Sequence, residues 1–228
     1  MKNVFFLSCV LVFSLHGATY KSQYGQDRFL HQNFFQNKND GIFIDIGAHD
    51  GITLSNSWFF EHELGWKGIC FEPLPSVFEQ LGVNRNCICL NNCVAGQEGE
   101  VIFREVVGYS QMLSGIENSY DPLHKQRIER EIKEKGGSYK YHSIKCRVLN
   151  NVLKEHDVSS IDLISLDVEG SEFEILKSID YEKFFIKVIC VENVYNIEII
   201  RDFLLSKGFS LVTRIECDDV FLNNANIS

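Results

Sequence analysis

Acidic and amide side chains recur in this chain at the ends of short apolar runs. Asp45, Gly47, His49, Asp50 and Gly51 follow or close the run 41–46, Glu72 ends 67–72, and Asn91 and Asn92 follow 87–90. Asp167 and Glu169 follow 161–166, and Glu192 and Asn193 follow 186–191. Carboxylates and amides of this kind hold polar ligands. In an open parallel sheet, ligands bind beyond the carboxyl ends of the strands, where the strand order reverses.

Two spacings sharpen the chemistry. In Gly47-Ala48-His49-Asp50-Gly51 the first glycine permits a tight turn and a close ligand approach,. Glu72 stands twenty-one residues beyond Gly51, at the end of the next apolar run. A carboxylate there accepts both hydroxyls of a ribose, as in nucleoside-bearing cofactor sites. The turn lacks the G-x-G-x-x-G spacing that seats a pyrophosphate on a helix N-terminus. Asp45 and Asp50 would also repel phosphates. This disfavours a nicotinamide oxidoreductase and favours a cofactor carrying a sulfonium and an ammonium group.

The elements that must position these residues follow from periodicity. Strands are expected over 41–46, 67–72, 87–91, 161–167 and 186–192, with 100–106 as an edge or accessory strand. Helices are expected over 28–35, 53–64, 76–81, 123–135, 171–179 and 198–207, the last closed by Gly208,. The alternation implies an α/β fold: a doubly wound, Rossmann-like seven-stranded sheet, parallel in most of its pairings and covered on both faces. The runs 209–215 and 220–222 are too close for a parallel crossover and require an antiparallel C-terminal hairpin. Such a hairpin marks the methyltransferase variant of this sheet. Residues 107–147 interrupt the alternation with a charged helix. That segment is either a solvated surface helix or a cap over the substrate.

At these residues the chain resembles the FkbM family of S-adenosylmethionine-dependent methyltransferases. The resemblance rests on Ser22-Gln23-Tyr24-Gly25-Gln26-Asp27, on Phe43 to Gly51, on Cys70-Phe71-Glu72-Pro73 and on Ile161 to Glu172. Its most specific part is Asp167-x-Glu169-Gly170-x-Glu172. His49 stands where class I methyltransferases often have glycine. The resemblance implies S-adenosylmethionine as cofactor and O-methylation of a glycan or small-molecule acceptor. It places Asp45 and the Gly47, His49, Asp50 and Gly51 turn at the methionine part, Glu72 at the ribose and Asn92 at the adenine. The segment carrying Gln26 either caps an N-terminal helix or lies over the cofactor.

Methyl transfer to a hydroxyl needs a base. Asp167 is placed for it, with His49 and His142 as alternatives. Glu169 would point to the other side if its strand continued. By position, Asp167, Glu192 and Asn193 match the Mg²⁺ ligands of catechol-type O-methyltransferases, a set of hard oxygen donors suited to that ion. Without a metal, the same groups would hydrogen-bond the acceptor or the backbone directly. A non-catalytic binding module that keeps the fold is the competing reading. The intact Asp45, Gly47 and Glu72 argue against it.

Composition bounds the remainder. The 228 residues are 45% hydrophobic and 23% charged, enough for one sizeable core rather than two domains,. A net charge of -9 without a basic run disfavours nucleic-acid partners,. Residues 1–18 combine Lys2, an apolar run and small residues, the layout of a signal peptide preceding a 19–228 domain,. That implies a secretory, periplasmic or secreted protein, with an uncleaved membrane anchor or a buried segment in a cytoplasmic protein as alternatives. The eight cysteines lack paired CxxC spacings and read as free thiols rather than a zinc site,.

Overall fold

A computed structural model describes residues 18–195 and 197–226. The expected leader over 1–18 therefore lies, except for Ala18, outside the described residues. No helix among the described residues is long and apolar enough to cross a membrane.

Seven strands form the main sheet. β1 (Ile42–Ile46), β2 (Lys67–Phe71) and β3 (Ile88–Leu90) run outward in one direction. Two short or accessory strands, β4 (Cys93–Val94) and β5 (Gly99–Gly108), follow, then β6 (Gly115–Ile116) and β7 (Gly137–Arg147). The main sheet resumes with β8 (Ser160–Leu166), β9 (Phe185–Glu192), β10 (Phe209–Ile215) and β11 (Asp218–Asn223). Its order is β10-β11-β9-β8-β1-β2-β3. β1 pairs in parallel with both β2 and β8, and β9 continues in parallel beside β8. β11 is antiparallel to β9 and to β10. The expected doubly wound sheet and its C-terminal hairpin are both present.

Side chains one residue apart on a strand face opposite sides. Ile44, Ile46, Ile164 and Leu166 fill one face against α5 (Leu149–Glu155), α6 (Glu172–Ser178) and α7 (Glu198–Ser206). Phe43, Cys70, Leu163 and Val188 fill the other, against α1 (Gln26–Leu30), α2 (Trp58–Leu64) and α3 (Pro75–Asn84). The chain leaves β1 toward β2 on one side and returns at β8 on the other. The strand order therefore reverses between β1 and β8.

Two boundaries differ from expectation. The helix expected over 53–64 starts only at Trp58, because the Asp50 carboxylate accepts from the N–H groups of Ile52 and Thr53 at 2.9 and 2.7 Å and holds a turn there. Residues 107–147 are no lone helix. They build most of a second sheet of order β4-β7-β5-β6, with β5 and β7 paired antiparallel from Gly99↔Cys146 to Gly108↔Gly137. The charged helix is α4 (Pro122–Lys135), whose Ile128 is buried with Val106, Leu113 and Tyr120. The seven described cysteines are all free.

Candidate functional site

A cavity of 370 Å³ opens at the carboxyl ends of β1, β2, β8 and β9, across the reversal of strand order. Asp45, Gly47, His49, Glu72, Asn92 and Asp167 all line it, as does Gln26 from the N-terminal segment.

Asp45 lies on β1 with its carboxylate buried. Ser57 Oγ donates to it from the start of α2, and Arg85 Nη1 lies 4.0 Å away. Burial raises its pKa, against the opposing pull of Arg85. Glu72 is held at the end of β2, where Leu74 N–H donates to Oε1 at 2.8 Å. Burial pushes its carboxyl up to about 7, against backbone hydrogen bonds from Leu74 and His49 that favour the charged form. Gln26 joins the N-terminal segment to the hairpin: its Nε2 donates to Asp218 and its Oε1 accepts from Tyr24 N–H at 2.8 Å. The neighbouring Asp27 closes the segment on itself, accepting from Lys21 N–H and Ser22 Oγ. The segment is thus both a local cap and part of the cavity wall.

Beyond β8 the strand does not continue. Glu169 adopts φ 61° and Gly170 φ 126°, and the backbone turns back. Glu169 therefore points toward Asp167 and Glu192 rather than away from them. One carboxylate oxygen of each lies within 4.8 Å of the others. Asp167 is reached by solvent through the cavity but is surrounded by protein. Burial pushes its carboxyl up to about 7, opposed by a hydrogen bond with Glu192 and reinforced by the charge of Asp218. Burial and the neighbouring Asp167 also raise Glu169 and Glu192 well above the ordinary carboxylate range.

Several expected site residues serve the scaffold instead. Asp50 spends its carboxylate on the turn at Ile52 and Thr53, and Thr53 Oγ1 also donates to it. Gly51 faces Arg85 and Leu81, either of which a Cβ would meet at 2.7 Å. Neither Asp50 nor Gly51 lines the cavity. His142 sits on β7 and bonds Glu105 Oε2 at 2.7 Å, so it offers the reaction no base. Asn92 lies on the cavity wall, its amide donating to Lys145 O at 3.4 Å.

Asn193 is turned away from the acidic cluster. Its amide donates to Asp219 Oδ2 at 2.9 Å, and its Oδ1 accepts from Ile197 N–H at 2.7 Å. The Mg²⁺ set Asp167, Glu192 and Asn193 therefore does not converge. Sequence reading missed Asp218, whose carboxylate lines the cavity from the start of β11. The signal for it was the hairpin itself, which returns the chain to the carboxyl edge of β9.

The donor set suits a cationic cofactor. Asp45, Glu72, Asp167, Glu169, Glu192 and Asp218 line the cavity, against Arg127 as the one Lys or Arg among the described residues on its wall. Both ring nitrogens of His49, and Asn56 Oδ1, are buried there without hydrogen-bond partners. These features fit a ligand with a sulfonium, an ammonium and ribose hydroxyls.

The methyltransferase sdnD of Sordaria araneosa is 25% identical over 164 residues, covering 62% of this chain and 61% of its own length. A solved methyltransferase FkbM from Methylobacillus flagellatus is 13% identical, with a TM-score of 0.47 over 86% of this chain and 50% of its own. A precorrin-6y C5,15-methyltransferase from Geobacter metallireducens is 12% identical, with a TM-score of 0.45 over 86% of this chain and 85% of its own. The chain thus spans three fifths of the curated relative and half of the first of these structures. The family model for the methyltransferase FkbM domain matches residues 45–211, most of the sheet and all of the second sheet. This chain belongs to the FkbM methyltransferase family.

Proposed function

We propose that this protein is an S-adenosylmethionine-dependent O-methyltransferase that methylates a hydroxyl of a glycan or small-molecule acceptor. The observation that carries the reading is the placement of buried Glu72 on the cavity wall with Asp45 and the cation-poor acidic cluster at the β1/β8 reversal. The cofactor supplies an electrophilic methyl on a sulfonium. Glu72 accepts the ribose hydroxyls, and Asp45 and Asp218 offset the cofactor's positive charge.

When bound, the cofactor would supply its sulfonium methyl to the acceptor oxygen and be left as a neutral thioether. Asp167 takes the hydroxyl proton. A carboxyl held near 7 is a far better match to that task than an ordinary one, since a base works best when its pKa lies near the working pH. The walls contributed by Met112, Leu113 and Phe103 exclude water from the reacting atoms,. They come from the 99–147 sheet and its connections, so that region closes the site.

Titration of the full chain with S-adenosylhomocysteine by calorimetry tests the reading. Saturable binding at one site supports it. A folded protein that takes up none at millimolar ligand contradicts it.

A further inference from the structure

A second cavity, of 180 Å³, lies beside the first. The two share Glu169, Glu192 and Val194 on their walls. The three shared residues are the end of the acidic cluster and the loop after β9, so whatever occupies the second cavity can present a group to the reacting centre in the first.

Its composition is selective. Tyr120 and His124 stack with ring centroids 5.0 Å apart and planes 8° apart, and Tyr195 meets His124 edge-on at 6.4 Å. Ile197, 41% exposed, and the half-buried Tyr195 ring supply the accessible apolar surface, because Tyr120, His124 and Ile200 are almost wholly covered. No Lys or Arg lines it among the described residues. Asp121 and Glu172 are engaged by backbone N–H groups, of Leu123 at 2.7 Å and of Gly170 at 3.1 Å. What remains for a ligand is Glu169 and Tyr195, with Glu192, which shares a hydrogen bond with Asp167, beside them. The Tyr195 hydroxyl is buried without a hydrogen-bond partner. Glu169 is 10% exposed, and its Oε2, 3.3 Å from His124 Nδ1, accepts no hydrogen bond. Buried polar atoms without partners are costly unless a ligand satisfies them. The wall is close-packed at Gly170, where a Cβ would meet Ser119 O at 2.6 Å.

We propose that this second cavity is the acceptor subsite, and that it takes one uncharged hydroxylated six-membered ring of the sugar type. A sugar ring has an apolar C–H face for Ile197 and the Tyr195 ring, and hydroxyl edges for the Tyr195 hydroxyl, Glu169 and Glu192. Binding sites of this kind pair a mostly apolar lining with a few placed polar groups. An anionic sugar would find no Lys or Arg on that wall to pair with. This inference rests on the methyl-transfer reading, and it adds that Tyr195 selects the acceptor.

Saturation-transfer NMR on the full chain with S-adenosylhomocysteine added tests it. The probes are methyl glucoside, galactoside, mannoside and rhamnoside, with glucuronate and catechol as counter-probes. At least one methyl glycoside receives saturation from the protein, and glucuronate and catechol receive none. Tyr195→Ala abolishes the transfer. Tyr195→Phe weakens affinity roughly tenfold or less, the worth of about one hydrogen bond. Ile197→Trp, which adds bulk at a residue 41% exposed on the cavity wall, blocks it. The inference is overturned if no glycoside binds, if glucuronate or catechol binds as well as the glycosides, or if both Tyr195→Ala and Ile197→Trp leave binding unchanged. Calorimetry with S-adenosylhomocysteine on the same samples separates the two levels. Loss of that binding in the unaltered chain contradicts the methyltransferase reading, whereas its retention without glycoside binding contradicts only the subsite.

Discussion

A Cβ on Gly47 would lie 1.8 Å from the carbonyl oxygen of Asp167. The two residues directly follow β1 and β8, and Asp167 N–H donates to Ile46 O at 3.0 Å beside them. The sequence suggests that glycine here makes room for a ligand. The structure shows that it first makes room for the neighbouring strand end, and so fixes the height of Asp167 in the cavity.

Gly47→Ala should therefore be among the most damaging single-methyl additions in the chain. Its φ of 92° disfavours any side chain, and the clash is with backbone rather than a movable side chain. A loss of more than about 3 kcal/mol is expected, from strain and overpacking together. Chemical denaturation of Gly47→Ala beside the parent checks this; a variant within about 0.5 kcal/mol, the ordinary surface range, would contradict it.

Arg85 ties the back of the site together. It is buried, donates to Glu61 and to Ser57 Oγ, donates to Gly51 O at 3.2 Å and stands 4.0 Å from Asp45. Arg85→Met strands Glu61 and Asp45 in the interior. Breaking a buried pair from one side costs about 3–5 kcal/mol. Thermal denaturation should show a large drop in Tm, and the double variant Arg85→Met/Glu61→Met should recover much of it.

Asp167 gives the chain a pH signature. Its carboxyl is raised from an ordinary 3.8 to about 7 by burial. The folded chain holds that proton where the unfolded chain has lost it. The resulting stability is fully present below about pH 4 and is lost as pH rises through 7. Asp167→Asn keeps the neutral form at all pH. It should match the parent near pH 4, where other carboxylates affect both alike, and be the more stable of the two at pH 8. Denaturation curves at both pH values decide this. Equal stabilities at pH 8 would show that Asp167 is not perturbed.

The same substitution separates binding from chemistry. Asp167→Asn should lower kcat by about 10²–10⁴, the usual worth of a positioned base, while S-adenosylhomocysteine binds within a few-fold of the parent. Parent activity should rise with pH through about 7 as the base loses its proton. A kcat unchanged in Asp167→Asn would remove it from proton transfer.

Legibility in the sequence followed burial. The main sheet was readable because its strands are buried on both faces and form continuous apolar runs such as Ile161 to Leu166,. β7 was not, because Tyr141, Ser143 and Lys145 leave one face in solvent and its partner β5 begins about forty residues earlier in the chain,. Asp45, Glu72 and Asp167 were found by standing at strand ends. Glu169 was misplaced because its direction depends on positive φ at two successive residues, which residue type at Glu169 does not announce,. Asn193 looked like a ligand until Asp219 and the start of α7 were seen to occupy its amide.

The most direct test of the account is the affinity of Glu72→Ala for S-adenosylhomocysteine by calorimetry. A carboxylate bonding two ribose hydroxyls contributes charge-assisted bonds of about 1.5–3 kcal/mol each before losses. With water entering the vacated space, a net loss of roughly 2–3 kcal/mol is expected, about 30- to 150-fold in Kd. The fold should hold, because Ile69 and Phe71 supply the packing of β2 and the carboxyl removed is one that burial already disfavours in its charged form. The account predicts a variant that melts within a few degrees of the parent and binds the ligand at least tenfold more weakly. Unchanged affinity in a well-folded variant would mean that Glu72 does not hold the ribose and that the cofactor lies elsewhere.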